Sequence, residues 1–576
     1  MNIRNIIPPL IIMYLTAGTP CFADAGFPHE EPLRLQIQQW VQQLGNDSYL
    51  VRQRAESLLT RAGIQAYPEL RRARQSPDVE IVRRAEYILS QIEQAFLDME
   101  NQETAYWIHL YMLDSNPAGK ARIIWFLADP LLDFTTGEGL QTLCRLVRFE
   151  ENSTLRLEVA KSLIASPPIA PMARQRWFQY IRDNIHSTGD DELFQIIANY
   201  AKLWCDVMLG CDSEEAAENA RSTITPEFQE RVRQVSAATL RLLERPENRI
   251  QIGSKIDILL HYAIAELQDA AGLIEERDKT IALALAIEPG PIQTTEPIMQ
   301  IGVDDDLLMN EHYHTGRYLK QRFRLPWAIA HFQRVMETGD VALRILASRY
   351  AAESAILLAD YASAITFFDK QIEILRGSDH ERGDAESVIA QAQRRQAYCW
   401  AAKAAATDNW EGVRESITRA WAADSSGSRD LWSDGGDIDL LIMAHRLRKQ
   451  MPDIDSEFRN MMDLQLRKTW NSIVADYEHA LPDERRMRML IAFNIAAWLL
   501  ANMEGDHQTA LTLVEAALKV EPDDIAILDT LAHVHFLGGN IDEAIRVQEQ
   551  VVRLAPGVAV FDRALERFKQ GRTDGE

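Results

Sequence analysis

The chain has 576 residues, enough for several core-bearing units or one long solenoid. Apolar residues make up 47% and charged residues 25%, the mix of a globular chain. A net charge of −24 argues against nucleic acid and anionic membrane surfaces, both of which call for clustered cations.

The N-terminus reads as a signal peptide over residues 1–25. Arg4 supplies a positive start, residues 6–15 are apolar, and residues 16–25 are small and polar. Cleavage is expected after Ala23 or Ala25. The apolar run is too short to span a bilayer, and Pro20 before Cys21 breaks a lipidation motif. The expected location is periplasmic or secreted. In that oxidising space Cys205 and Cys211 either bridge a local turn or lie buried as small apolar residues, as Cys144 and Cys399 would.

Residues 30–96 hold a repeat pair. Arg54-Ala55-Glu56 recurs as Arg84-Ala85-Glu86, 30 positions on, and Leu58-Leu59 recurs as Ile88-Leu89. Asp47-Ser48 and Ser76-Pro77-Asp78 stand where they can cap the recurring helix. This pair resembles HEAT-type helical hairpins. Residues 97–245 form an irregular helical segment, with a weaker third copy over residues 140–165. Within it, Trp107, Tyr111, Trp125 and Phe126 read as helix-core aromatics, with a ligand-binding cluster as the alternative.

A different pattern follows. Residues 246–290 form one degenerate hairpin: Tyr262 to Leu267 in a first helix, Gly272 at the turn, Ile281, Ala284 and Leu285 in a second helix, and Pro289 as its stop. Arg277 stands where a close-contact alanine belongs. Residues 291–306 read as a linker; Asp304-Asp305-Asp306 lacks the spacing and glycine of a calcium loop. Residues 307–424 repeat the hairpin. Trp327-Ala328-Ile329 and Phe332 recur 36 positions on as Ser363-Ala364-Ile365 and Phe368. Ala397, Trp400, Val413 and Ile417 make a further copy, displaced by an insertion near residues 377–384 that is a candidate binding loop. Residues 425–485 break the register, as linker and helices.

Residues 486–570 carry the clearest signal, with two hairpins in a 34-residue register. Gly505 and Gly539, Ala510 and Ala544, Leu511 and Ile545, and Pro522 and Pro556 each fall 34 apart. The glycines allow the reversal, the alanines let two helices approach, and the prolines stop the second helix. Leu511, Val514, Ala517 and Leu518 make an apolar stripe, matched by Ile545, Val551 and Val552. These residues resemble the tetratricopeptide repeat. Two positions depart from it: Trp498 replaces a small residue, and Gln548 an aromatic or aliphatic one. Residues 561–569 read as a closing helix.

The resemblance implies an all-α fold, a right-handed α/α superhelical solenoid. It also implies that first helices line an inner face where a protein or peptide lies. The residues expected on that face are Asn494, Asn502, Asp529 and His533. Asp529 and the absence of a matching lysine set disfavour capture of a terminal carboxylate by a lysine–asparagine clamp. No zinc spacing, phosphate loop or nucleophile elbow is present. His312 and His314, like His533 and His535, are two apart, which on a helix points the rings roughly 200° apart. The chain is therefore expected to be non-enzymatic, without cofactor or metal, and to act as an envelope scaffold or adaptor for protein or peptide partners. Two other classes stay open: a carbohydrate- or lipid-binding envelope protein, and a hydrolase in the irregular middle segment.

Overall fold

The computed structural model describes residues 30–99, 102–114, 116–128, 152–165, 195–203, 225–245, 254–287, 311–377, 382–422, 435–479 and 485–571, with Leu143, Glu150 and Asn248 between them. Residues 1–25, expected as a signal segment, Cys21, Cys144, Cys205, Cys211, the aspartate run at 304–306 and residues 378–381 of the candidate loop lie outside the described residues. Every regular element among the described residues is helical. The chain divides into two compact units, Met1–Ile252 with Leu259–Thr280, and Gly253–Ile258 with Ile281–Glu576.

The first unit opens with α1 (Glu30–Gln43), α2 (Tyr49–Ala62), α3 (Tyr67–Ala73) and α4 (Val79–Met99). The recurring alanines do what small residues do at a close contact. Ala55 and Ala85 are both fully buried, with Leu59 and Leu89 beside them in one core. The flanking charges lock the copies together. Arg84 of the second copy bonds Glu56 of the first at 2.5 Å and Glu80 on its own helix at 2.7 Å. Asp78 caps α4 by accepting from Glu80 N–H at 2.8 Å. Ser48 takes the N-cap position of α2, but its hydroxyl makes no capping bond. Beyond lie α5 (Gln102–Leu113), α6 (Pro117–Ala128), α7 (Ser153–Ala165) and α8 (Pro226–Leu243). In the hairpin of α9 (Ser254–Ala270) and α10 (Ile274–Ala286), Arg277 turns to the loop and bonds Asp269 at 2.6 Å.

The second unit holds α11 (Glu311–Gln321), α12 (Leu325–Thr338), α13 (Val341–Leu357), α14 (Tyr361–Arg376), α15 (Arg382–Ala405), α16 (Trp410–Ala422), α17 (Gly435–Gln450) and α18 (Ser456–His479). It ends with α19 (Arg485–Leu499), α20 (His507–Leu518), α21 (Ile525–Leu537), α22 (Ile541–Leu554) and α23 (Ala559–Lys569). Sequence neighbours pack on one another throughout this unit, the arrangement of a helical-repeat solenoid. Ala328, Ala364, Ala510 and Ala544 are all fully buried where paired helices meet. The stripe on α20 runs through Ala510, Leu513, Val514 and Ala517, with Leu511 at its margin. Part of the insertion after α14 goes into helix, since α15 has 24 residues against 17 in α13.

One turn geometry recurs. The N–H groups of Leu273, Arg324, Asp360, Asn409 and Asn540 each bond the carbonyl five residues back, closing a Schellman turn. The residue before each has positive φ. It is glycine at 272 and 539, but Phe323, Ala359 and Asp408 at the other three. Aspartates cap the helices that follow: Asp360 accepts from Ser363 N–H, Asp506 from Thr509 N–H and Asp524 from Ile527 N–H. Gly316 meets a second need, because a Cβ there would come within 2.6 Å of the Phe332 ring.

The ends of this unit meet. Leu325 at the start of α12 packs with Ala555 and Val558, between α22 and α23. The helices between them enclose the site.

Candidate functional site

A pocket of about 250 Å³ lies inside the second unit. Its walls come from helix faces read at three- and four-residue steps. From α15 come Tyr398 and Ala402, with Ala406 just past its end; Tyr361 starts α14. From α17 come Asp439, Ile442, Met443 and Arg446. Trp498 of α19 and Val560, Arg563 and Arg567 of α23 complete it. The chemistry is uneven: three aromatics, three arginines and one aspartate among the described lining residues. In a chain of net charge −24 that is a local reversal of sign.

The C-terminal wall is built in layers. Trp498 stands edge-on to His533, with ring centroids 4.7 Å apart. His533 meets Phe568 edge-on at 5.0 Å, and Phe568 stacks on Phe536 at 4.4 Å. His533 Nδ1 lies 2.9 Å from the Asp529 carbonyl, and Nε2 lies 2.7 Å from Arg567 Nη2. Arginine only donates, so Nε2 accepts and Nδ1 carries the proton. Burial, then Arg567 and Arg446, push His533 down to about 3, so the ring is neutral at ordinary pH. The neutral imidazole can therefore hold Arg567 in place with its guanidinium at the pocket.

Behind this layer, Gln548 is fully buried, and its amide donates to Asp529 Oδ1 at 2.9 Å and to the Phe561 carbonyl at 3.3 Å. On α19 the helix widens into a π turn at Leu500–Glu504, and Asn502 Nδ2 donates to the Trp498 carbonyl at 2.9 Å. Asn494 lies one turn before Trp498, with its Oδ1 buried and without a hydrogen-bond partner among the described residues.

None of the four sequence-derived residues lines the pocket: Asn494 and Asn502 share the helix segment of Trp498, and Asp529 and His533 lie on α21. Asn502 fixes the Trp498 backbone, and Asp529 and His533 stand behind the wall. Tyr361, Tyr398, Arg446, Arg563 and Arg567 are not among the sequence-derived residues, because all five come from helices outside the 34-residue hairpin pair, the last two from the helix that closes it. Trp498 and Gln548, the two departures from the repeat, were the available signal.

Other clusters bear structural loads. Glu353 accepts from Lys320 at 2.5 Å, Arg349 at 3.0 Å and Arg395 at 2.6 Å. Burial alone would raise its carboxyl; Lys320, Arg395 and Arg349 hold it down to about 2. His312 and His331 pair through their Nδ1 atoms at 2.9 Å in the core. Cys399 is buried, which pushes its thiol up to about 12 and leaves it inert. Among the described residues there is no group of three or more potential metal ligands, and no helix long and apolar enough to cross a membrane.

The fold is that of a helical-repeat protein. A tetratricopeptide repeat model matches residues 501–570. The chain is also 32% identical over 134 residues to the photosystem I assembly protein Ycf3 of Synechococcus elongatus, covering 20% of this chain and 76% of that protein. The same protein from a second Synechococcus strain matches equally. The chain belongs to the tetratricopeptide repeat family.

Proposed function

We propose that this protein is a non-enzymatic scaffold that holds a protein or peptide partner in the pocket of its second unit. The carrying observation is closure. Leu325 packs with Ala555 and Val558, and this brings Tyr398, Trp498 and Arg567 from distant repeats around one space. An aromatic and cationic lining of that kind is what anchoring side chains of a partner require. The assembly role in the name of the cyanobacterial relatives supports the same class of task, holding a protein partner. The likeness covers 20% of this chain, so the transfer stops at that class.

Residues 1–25 support a periplasmic or secreted setting, and the Arg54 and Arg84 repeats support a HEAT-like start to the solenoid. Asn494, Asn502, Asp529 and His533 serve the partner site, chiefly by supporting Trp498 and Arg567.

The test is site-specific cross-linking in the cell of origin. A photoreactive residue at Tyr398 should capture a defined protein partner. The same residue at Glu415, exposed on α16, should not. Equal capture at both positions would defeat the reading.

A further inference from the structure

We infer that the pocket takes an acidic peptide segment, seating a side-chain carboxylate among Arg446, Arg563 and Arg567 and an apolar side chain against Trp498. This deepens the scaffold reading and rests on it.

The inference begins with how this chain treats its other arginines. Arg84 bonds Glu56 and Glu80, Arg277 bonds Asp269 and Asp278, Arg395 bonds Glu353, and Arg414 bonds Asp455. With 85 acidic residues against 61 basic ones, a partner is easy to find. Arg446 and Arg563, like Arg54 and Arg61, form no ion pair and no hydrogen bond among the described residues; what sets these two apart is that both line the pocket, beside a third arginine. The third cation, Arg567, is anchored from behind by His533 Nε2 and lies over the Phe536 and Phe568 rings. Its orientation is therefore set before any ligand arrives. Preorganised guanidinium groups suit carboxylate oxygens, which they meet with paired N–H donors.

The apolar half of the site selects the rest. Ile442, Met443 and Val560 offer aliphatic surface beside Trp498, and Tyr361 and Tyr398 stand edge to face at 6.2 Å. A space of about 250 Å³ holds one or two side chains. That size fits an acidic residue with an apolar neighbour from one peptide, and excludes a duplex or a lipid surface. Asp439 is the one acid on the described lining.

The experiment uses the full-length protein and three labelled peptides that share one apolar core sequence, flanked by Glu and Asp, by Ser and Gln, or by Lys. Binding is read by fluorescence anisotropy of the labelled peptides. The acidic peptide should bind at least ~10-fold more tightly than the neutral one, and the Lys peptide weakest. Arg446→Glu and Arg563→Glu should each cost the acidic peptide about 10-fold or more and leave the neutral one nearly unchanged. Arg446→Gln and Arg563→Gln, which add no repulsion, provide the check if the charge reversals misfold by circular dichroism. Acidic and neutral peptides bound equally, or an acidic peptide insensitive to both Gln variants, would overturn the inference while leaving the scaffold reading standing. Failure to bind any of the three, together with failed capture at Tyr398, would remove both.

Discussion

Arg84 and Arg446 are the same residue type in two repeat regions, and the chain uses them in opposite ways. In the first unit, Arg84 ties one copy of the repeat to the next through Glu56, over a core closed by Ala55 and Ala85. In the second unit, the final repeats close through rings, Trp498 on His533 on Phe568 on Phe536, while Arg446 and Arg563 face a pocket. The contrast separates stability from function. Arg84, paired across repeats, is part of the fold; under the proposed acidic-peptide site, Arg446 and Arg563 serve a ligand where ring packing already closes the repeats.

Breaking the aromatic closure should have the largest effect. Phe568 is fully buried between Phe536 and His533. Phe568→Ala should cost about 3–5 kcal/mol, read as an earlier unfolding transition of the second unit in denaturant. It should also loosen Arg567.

Acid should act next. Burial first, with nearby cations or a second imidazole adding to it, holds His331 and His533 down to about 3 and His445 down to about 4. In the unfolded chain each titrates near 6.5. Below that pH the unfolded state takes up protons that the folded state refuses, so stability falls as pH falls. The histidine share begins to go below about 6.5. The Glu353 share follows only below about 4.5, because its ion pairs hold the folded carboxyl down to about 2. Thermal scans of the intact chain from pH 7.5 to 4 should show a falling midpoint through the first window, and His533→Gln should flatten part of it.

Cutting the ionic closure should matter less. Arg84→Ala should cost about 1 kcal/mol, the worth of a partly buried pair, and hydrogen exchange should quicken in α4. The smallest effect concerns the turns. Ala359 has φ +52°, a conformation that costs an L-residue about 1–2 kcal/mol. Glycine avoids that cost but loses more chain entropy. Ala359→Gly should therefore stabilise by about 0.5–1 kcal/mol in matched denaturant titrations.

These turns show where legibility ended. Gly272, Gly505 and Gly539 announced their reversals, because left-handed backbone favours glycine. Phe323, Ala359 and Asp408 make three reversals with no such announcement, held by the same Schellman bonds. Close contacts were readable from Ala510 and Ala544, since small residues at a fixed period have few other uses. The pocket itself was unreadable as a set. Tyr398 and Arg446 are ordinary residues in sequence, and only the meeting of Leu325 with Val558 brings their helices around the space that Arg567 faces. What the sequence did carry was the misfit: Trp498 and Gln548 break the repeat pattern, and Trp498 lines the pocket while Gln548 lies behind it, bonded to Asp529.

The most direct measurement is equilibrium unfolding of Arg446→Ala/Arg563→Ala beside Arg84→Ala. The double variant should unfold within about 0.5 kcal/mol of the parent, as surface substitutions do, while Arg84→Ala falls by about 1. If the double variant lost as much stability as Arg84→Ala or more, these arginines would be part of the fold, and the division between paired and reserved cations would be wrong.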